Sequence, residues 1–256
     1  MVALAPLMAD RPPPLRLLHD EDDLVAVNKP AGEPVIAERG GPPEGCLRRR
    51  LERQLGRRLW VVHRIDRDAS GLVAFAGSAA AHRAASLAFE HRQVGKTYVA
   101  FVAGTLEPDR GRIDVPLHAA RKGKARPARP EEPGRREAAT EYVVRRRWHR
   151  NNTVLTLLEA HPLTGRHHQI RVHLRSIGAP LLFDPLYGRG LMPPELDGAP
   201  CGRLALHALR LELPSPKGDE RLVLEAPLAT DLQELHAWLD GLWSGGPLQY
   251  ETRPDE

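Results

Sequence analysis

HRIDRDASGLVAFA, residues 63–76, sets a loop of mixed charge against an apolar strand, and the rest of the chain can be organised around it. Within the loop the carboxylate of Asp66 sits between Arg64 and Arg67, and β-type apolar runs at 61–62 and 72–76 bound it on both sides. Neighbouring cations favour the charged form of such a carboxylate, and flanking strands can hold it rigidly, the arrangement a nucleophile needs. The same residues also fit an ordinary turn, with Asp66 and Asp68 making local hydrogen bonds and the arginines in solvent. Residue types alone leave both readings open.

Upstream, residues 1–14 are Pro-rich and aperiodic and read as a flexible lead. Residues 15–27 give an apolar run, an acidic turn at 20–23 and a buried-type strand at 24–27, hence a β-hairpin, followed by a Lys-Pro-x-Gly turn at 29–32. In 45–58, Leu47, Leu51 and Leu55 recur at helical spacing with arginines elsewhere, which predicts an amphipathic helix whose basic outer face suits a polyanion. Ser78 caps an Ala-rich helix running to His91.

Downstream, strands are expected at 96–102, 139–145, 153–160, 204–213 and 221–225. After the TGR turn at 164–166, Ile170, Leu174 and Ile177 share one helical face, and Gly178 and Pro180 supply the stop. A last amphipathic helix turns Leu232, Leu235 and Leu239 inward. Residues 121–136 have no hydrophobic face, three prolines and seven basic residues against two acidic ones, and so predict an exposed, mobile loop. The expectation is one α+β domain over 15–245, a mixed, mainly antiparallel sheet with flanking helices, and a flexible tail at 246–256.

Composition narrows the function. With 256 residues, 41% of them hydrophobic and 27% charged, the chain can bury a full core and is not a disordered protein. Lys+Arg exceeds Asp+Glu by 37 to 33, a mild excess that points to an anionic partner. No apolar run reaches the roughly 18–20 residues of a membrane span, and the N-terminus meets Asp10 before any export-length apolar segment, so a cytoplasmic address is expected. Cys46 and Cys201 alone exclude a disulfide framework or a Cys-rich zinc module. No phosphate-cradling GxxxxGK[ST] and no GxGxxG after a strand is present.

Two further segments carry reactive groups. In HPLTGRHHQIRVHL, 161–174, Arg166 follows a Gly turn just ahead of a helix, placed to clamp a carboxylate or phosphate. His161, His167, His168 and His173 lack an i, i+4 pair and a Cys or Glu at ligand spacing, which argues against a metal, and surface imidazoles on a basic helix are the plainer reading. Lys96 and Tyr98 lie two apart on one strand and share a face, where a tyrosine is more often packing than chemistry.

Together these segments resemble the RluA-type pseudouridine synthases. HRIDRDASGLVAFA is similar to the family hallmark, NKPAG at 28–32 to its entry motif, and KTYVAFVAG at 96–104 to its tyrosine-bearing strand. PLTGRHHQIRVHLRSIGAPLLFDPLYG at 162–188 resembles the longest signature, and RLALHALRLEL at 203–213 the closing strand. The likeness covers about 15–239, five motifs in order. It implies the pseudouridine synthase fold with a central RNA-binding cleft. Asp66 matches the essential aspartate, Tyr98 the tyrosine that packs on the target base, Arg166 the basic partner of that aspartate, and Arg64 an arginine near the flipped nucleotide. His63, Arg67, Lys96, Gln169 and Arg171 lie in the same motifs and are candidate substrate-binding residues. Departures are Ile65 for leucine, Ala69 for threonine, His167 for Ser or Thr and Phe183 for glycine. Ala69 lacks a hydroxyl that braces the loop, and His167 is a weaker helix N-cap, by about 1 kcal/mol.

The reaction so implied breaks the bond from ribose to N1 of uracil, rotates the base and rejoins it through C5. It is an isomerisation that calls for no cofactor and no metal. Asp66 would act as nucleophile or as base in a glycal-type route, and Tyr98 would stack under the uracil and help remove the C5 proton. Flipping the base costs a few kcal/mol, least in loops, and arginines of 47–58, 121–136 and 145–150 are candidates to offset it through phosphate contacts. The catalytic motifs begin too early for an extra N-terminal RNA-binding domain, so a compact rRNA or tRNA stem-loop is the expected partner. The protein is expected to be a monomer with no obligatory protein partner. Rival readings are a non-catalytic RNA-binding or chaperone protein of the same fold and a base-excising glycosylase.

Overall fold

The computed structural model describes residues 13–215 and 220–245. The lead at 1–14 falls almost wholly outside them, as does the tail at 246–256. In chain order the elements are β1 (Leu17–Glu21), β2 (Leu24–Lys29), α1 (Leu47–Leu55), β3 (Trp60–Val61), β4 (Ser70–Ala76), α2 (Ala79–Glu90) and β5 (Gly95–Ala103). Then follow β6 (Arg110–Asp114), β7 (Leu117–Ala120), a 3₁₀ turn (Arg121–Gly123), β8 (Lys124–Pro127), β9 (Ala139–Arg150), β10 (Thr153–Pro162) and α3 (Gln169–Ser176). After a second 3₁₀ turn (Pro194–Leu196) come β11 (Leu206–Pro214), β12 (Arg221–Glu225), α4 (Thr230–Leu242) and β13 (Ser244–Gly245).

Local chemistry explains most of these elements. Asp22 and Asp23 both take positive φ (53° and 58°), the twist that a two-residue hairpin turn requires between β1 and β2. The Ser78 side chain accepts from the Ala81 N–H and caps α2. Gly56 ends α1 in the left-handed region (φ 66°).

The main sheet runs β1-β2-β4-β11-β5-β10-β9-β13, with β12 added on β11, β3 on β4 and β6 on β9. Among the named strand pairs only β4–β11 is parallel. Alternation along β5 divides the interior: Tyr98, Ala100 and Val102 belong to the main core, whereas Val99, Phe101 and Ala103 face a second cluster with Trp148 and the Leu232, Leu235 and Leu239 side of α4. With both faces covered, all seven residues of β4, SGLVAFA, are buried.

The expected exposure holds for most of 121–136, but its first half is a hairpin and not a loop. Residues 117–127 form a β7–β8 hairpin, and Leu117 exchanges both backbone hydrogen bonds with Arg136 at 2.9 Å. Leu117 and Ala125 are buried against Val172 of α3 and Tyr187. The apolar partners that order this segment come from elsewhere in the chain, so its own polarity gave no sign of them.

The parallel contact of β4 with β11 fixes the end of the 63–71 loop. Gly71 (φ 112°) lies so close to Ala208 that a Cβ would stand 2.2 Å from its carbonyl oxygen. Beside it the Ser70 hydroxyl is 2.9 Å from Nδ1 of the fully buried His207. Gly71→Ala combines a backbone clash with a disfavoured φ and is expected to cost about 3 kcal/mol or more of stability, read from urea unfolding. Burial pushes the His207 pKa down from 6.5 to about 4. Since the unfolded chain takes up that proton first, His207 stabilises fully above about pH 6.5 and loses that contribution as pH falls toward 4, at ~1.4 kcal/mol per pH unit for the one proton. Unfolding midpoints measured from about pH 7 to 5 should fall less steeply in His207→Gln than in the wild type; equal slopes would contradict this.

Candidate active site

Asp66 opens the tight turn that leads into β4, with the Ala69 N–H donating to the Asp66 carbonyl at 3.2 Å. The turn is tied from below by Lys29 at the end of β2. This lysine is fully buried, and its ammonium donates to the carbonyls of Pro30, Glu33 and Arg67 at 2.7–2.8 Å. Burial pushes its pKa down to about 7. Gly32 N–H also donates to the Arg67 carbonyl at 2.9 Å, so the 28–32 and 63–71 motifs brace each other. That bracing serves the loop without the hydroxyl that Ala69 lacks, and the Ala69 methyl is fully buried in the main core.

Above the turn stands α3. Its N-cap is His168, in the left-handed region at φ 54°, rather than His167. Six consecutive residues from Gln169 to Leu174 are buried, Arg171 among them. The Arg171 guanidinium makes two hydrogen bonds to Asp184 (Nε to Oδ2 2.8 Å, Nη2 to Oδ1 2.7 Å) and directs Nη1 to Asp66 Oδ2 at 3.2 Å. It also lies 5.1 Å from the Tyr187 ring centroid. Asp184 Oδ1 accepts in addition from the N–H groups of Leu186 and Tyr187. These bonds hold the Asp184 carboxyl below its ordinary pKa despite burial. Side-chain exposures of 2% for Arg171, 1% for Asp184 and 20% for Asp66 decide which member a substrate can reach.

The pairing expected of Arg166 is therefore made by Arg171. Arg166 turns away, its Nε donating to the Glu137 carbonyl at 3.0 Å. Gln169 fixes the turn behind it: its Oε1 accepts the Arg166 N–H and the Thr164 hydroxyl while Nε2 donates to Ala139 O and Thr140 Oγ1. With all four of its hydrogen-bonding positions used internally, Gln169 is a clamp and not a substrate contact.

Tyr98 lies near Asp66. Burial, and secondarily the Asp66 charge, raise its phenol pKa, so it is poorly suited to act as a phenolate base. His168 is also within the electrostatic reach of Asp66; burial lowers its pKa to about 4 and leaves it neutral at pH 7. Its Nδ1 lies 2.8 Å from the Tyr187 hydroxyl, which accepts the Ala125 N–H at 2.8 Å. Thus the β7–β8 hairpin is stitched to the site through Tyr187.

The remaining candidates divide. Arg64 is exposed at the loop. Arg67 joins Gly32 O and Glu38 across the loop pair. His63 is committed to the scaffold: its Nε2 accepts the Ala74 N–H at 2.9 Å, its ring stacks on Phe89, and burial lowers its pKa to about 3. Lys96 reaches Thr164 O at 3.3 Å and lines a separate cleft with Arg92, Arg112 and Arg221. Many expected phosphate-binding arginines are partnered within the chain: Arg50 with Glu33, Arg53 with Glu44, Arg126 with Glu132, Arg146 with Asp240 and Arg147 with Asp109.

A cavity of about 850 Å³ adjoins the reactive loop, lined by Arg16, Asn28, Lys29, Asp68, Arg203 and Phe183 among others. Phe183, where the resemblance expects glycine, has φ 56°, a conformation that costs a bulky residue about 1–2 kcal/mol. The turn it makes delivers Asp184 to Arg171. Lys29, Asp184 and Tyr187 were not singled out from sequence. An arginine inside an otherwise apolar helical face was the available signal, since a buried guanidinium demands a carboxylate.

Comparison with known proteins agrees with this geometry. The family description for RNA pseudouridylate synthase matches residues 23–176. The chain is 37% identical to ribosomal large subunit pseudouridine synthase D of Nitrosomonas europaea, covering 87% of this chain and 64% of the relative's length. It is 35% identical to dual-specificity RNA pseudouridine synthase RluA of Pasteurella multocida, over 85% of this chain and 94% of the relative. Human RNA pseudouridylate synthase domain containing 4 shares the fold at a TM-score of 0.68 and 26% identity, with 88% of this chain and 92% of that chain covered. A mixed, mainly antiparallel α+β fold, a buried Arg171 directed at a reachable Asp66, and homology over most of the chain lead to one conclusion: this protein belongs to the RNA pseudouridylate synthase family.

Proposed function

We propose that the protein isomerises uridine to pseudouridine in a structured RNA, an rRNA or tRNA stem-loop, and that Asp66 is the residue that acts on the flipped nucleotide. The observation that carries this reading is the Asp66–Arg171–Asp184 chain, which aims one partly exposed carboxylate from a rigid, otherwise buried support. Relatives named for ribosomal and dual-specificity pseudouridine synthesis support the choice of RNA.

In the reaction the N1–C1′ bond breaks, the uracil turns, a C5–C1′ bond forms, and C5 loses a proton as N1 gains one. Asp66 serves either as nucleophile at C1′ or as the base of a glycal-type route. Arg171 orients it through a charge-assisted hydrogen bond and is preorganised by Asp184, so little reorganisation is needed when the substrate arrives. Tyr98 supplies an aromatic surface beside the carboxylate, with its proton retained. Arg64, exposed on the same loop, would contact the RNA near the flipped nucleotide. The enzyme works as a monomer in the cytoplasm; no described helix is long and apolar enough to cross a membrane.

RNA labelled with tritium at uridine C5 tests the assignment. Wild-type protein should release tritium from cellular RNA and Asp66→Ala should not, while keeping its circular dichroism spectrum. Silence of the wild type, or release of free uracil, would refute the isomerase reading. Arg171→Lys keeps the charge but not the geometry that spans two carboxylates, and should lower tritium release by about 100-fold. Asp184→Ala strands a buried guanidinium and should in addition cost about 3–5 kcal/mol of stability in denaturant unfolding.

A further inference from the structure

His167 and His168 were read from sequence as unlikely ligands because no partner stands at ligand spacing. The tertiary structure supplies one from a loop about a hundred residues earlier: one ligand atom each from Asp66, His167 and His168 lies within 4.8 Å of the others. We infer that these three residues form a binding site for a zinc-class divalent cation, and that the cation reversibly shuts off the enzyme by occupying the Asp66 carboxylate. The second half rests on the proposed role of Asp66; the first does not.

The donor set suits such an ion. Two imidazoles and one carboxylate leave a fourth tetrahedral position open. Zinc bonds of about 2.0–2.1 Å place ligand atoms roughly 3.4 Å apart, so small side-chain adjustments close the present spacing. The two rings stack with centroids 3.6 Å apart, so side-chain rotation splays them for both in-plane lone pairs to meet one ion.

Each imidazole is also held in the manner of a metal ligand, by a partner on its other nitrogen. His167 Nε2 lies 2.9 Å from the Gly123 carbonyl, which accepts its proton and leaves the lone pair on Nδ1. His168 Nδ1 lies 2.8 Å from the Tyr187 hydroxyl, and the tautomer in which Nδ1–H donates to that oxygen leaves the lone pair on Nε2. Gly123 lies in the turn of the β7–β8 hairpin and Tyr187 is bonded to that hairpin through the Ala125 N–H, so the two together orient both rings. Arg171 is not a barrier, because one guanidinium is shared by two carboxylates and the cluster keeps a net negative charge to attract a cation. His167 is exposed and is the residue that departs from the Ser or Thr of the resembling pattern, so the site is a property of this chain.

Zinc sulfate titrated into the full chain by calorimetry, and cobalt(II) chloride followed by its visible d–d bands, test the binding directly. One ion per chain is expected, removable by EDTA, with affinity at least about tenfold weaker in His167→Thr and in Asp66→Asn. Equal affinity in wild type and both variants would overturn the site. Zinc should also suppress tritium release by the wild type, with EDTA restoring it. His167→Thr, active without zinc, should need at least about tenfold more zinc for the same suppression. Equal sensitivity of wild type and variant, or full activity of the zinc-bound wild type, would overturn the inhibition. Absence of tritium release even in EDTA would instead count against the isomerase reading, and calorimetry would still decide the cation site.

Discussion

A single guanidinium with two carboxylates organises the centre of this molecule. Removing the Arg171 charge from water is costly by several kcal/mol, and the bidentate bond to Asp184 is what makes it tolerable. Once Asp184 has taken Nε and Nη2, Nη1 has one direction left, and Asp66 lies in it. Three segments distant in sequence, the 63–71 loop, α3 and the 183–187 turn, are locked by that geometry. The Tyr187 ring beneath the guanidinium extends the lock to the β7–β8 hairpin.

Two left-handed non-glycine residues flank this centre. His168 and Phe183, neither of them glycine, hold left-handed backbone conformations on either side of Arg171, one starting α3 and the other presenting Asp184. Both are held by neighbours: His168 by Tyr187, and Phe183 by packing against the second core cluster. The reactive loop is supported by the buried Lys29 ammonium, by Ile65 and Ala69 in the main core, and by the close approach of Gly71 to Ala208. A carboxylate positioned from a core on each side of the sheet has little freedom to wander, which suits chemistry that needs one group aimed at one atom.

Local pattern was legible in the sequence wherever one segment carries its own instructions. The acidic turn at 20–23, the Ser78 cap, the leucine spacing of α1 and the Gly178 stop after α3 all work within a few residues, and the elements stand close to where those signals put them. Two readings went astray for a shared reason. Residues 121–136 look structureless because their apolar partners, Val172 and Tyr187, lie some fifty residues on. Arg166 looks like the clamp because it follows the turn, but its side chain bonds the Glu137 carbonyl and Arg171 stands on the inward face.

By itself the sequence determined the kind of protein: five ordered motifs, an α+β pattern and a carboxylate flanked by cations at Asp66. Only the tertiary structure decided which cation serves that carboxylate, that the basic insertion begins within a β7–β8 hairpin, and that His167 and His168 converge on Asp66. The physical reason is range. Helical periodicity, capping and turn preferences act over a handful of residues, whereas the partner of a buried charge is whichever opposite charge the packing of both cores brings within hydrogen-bond distance.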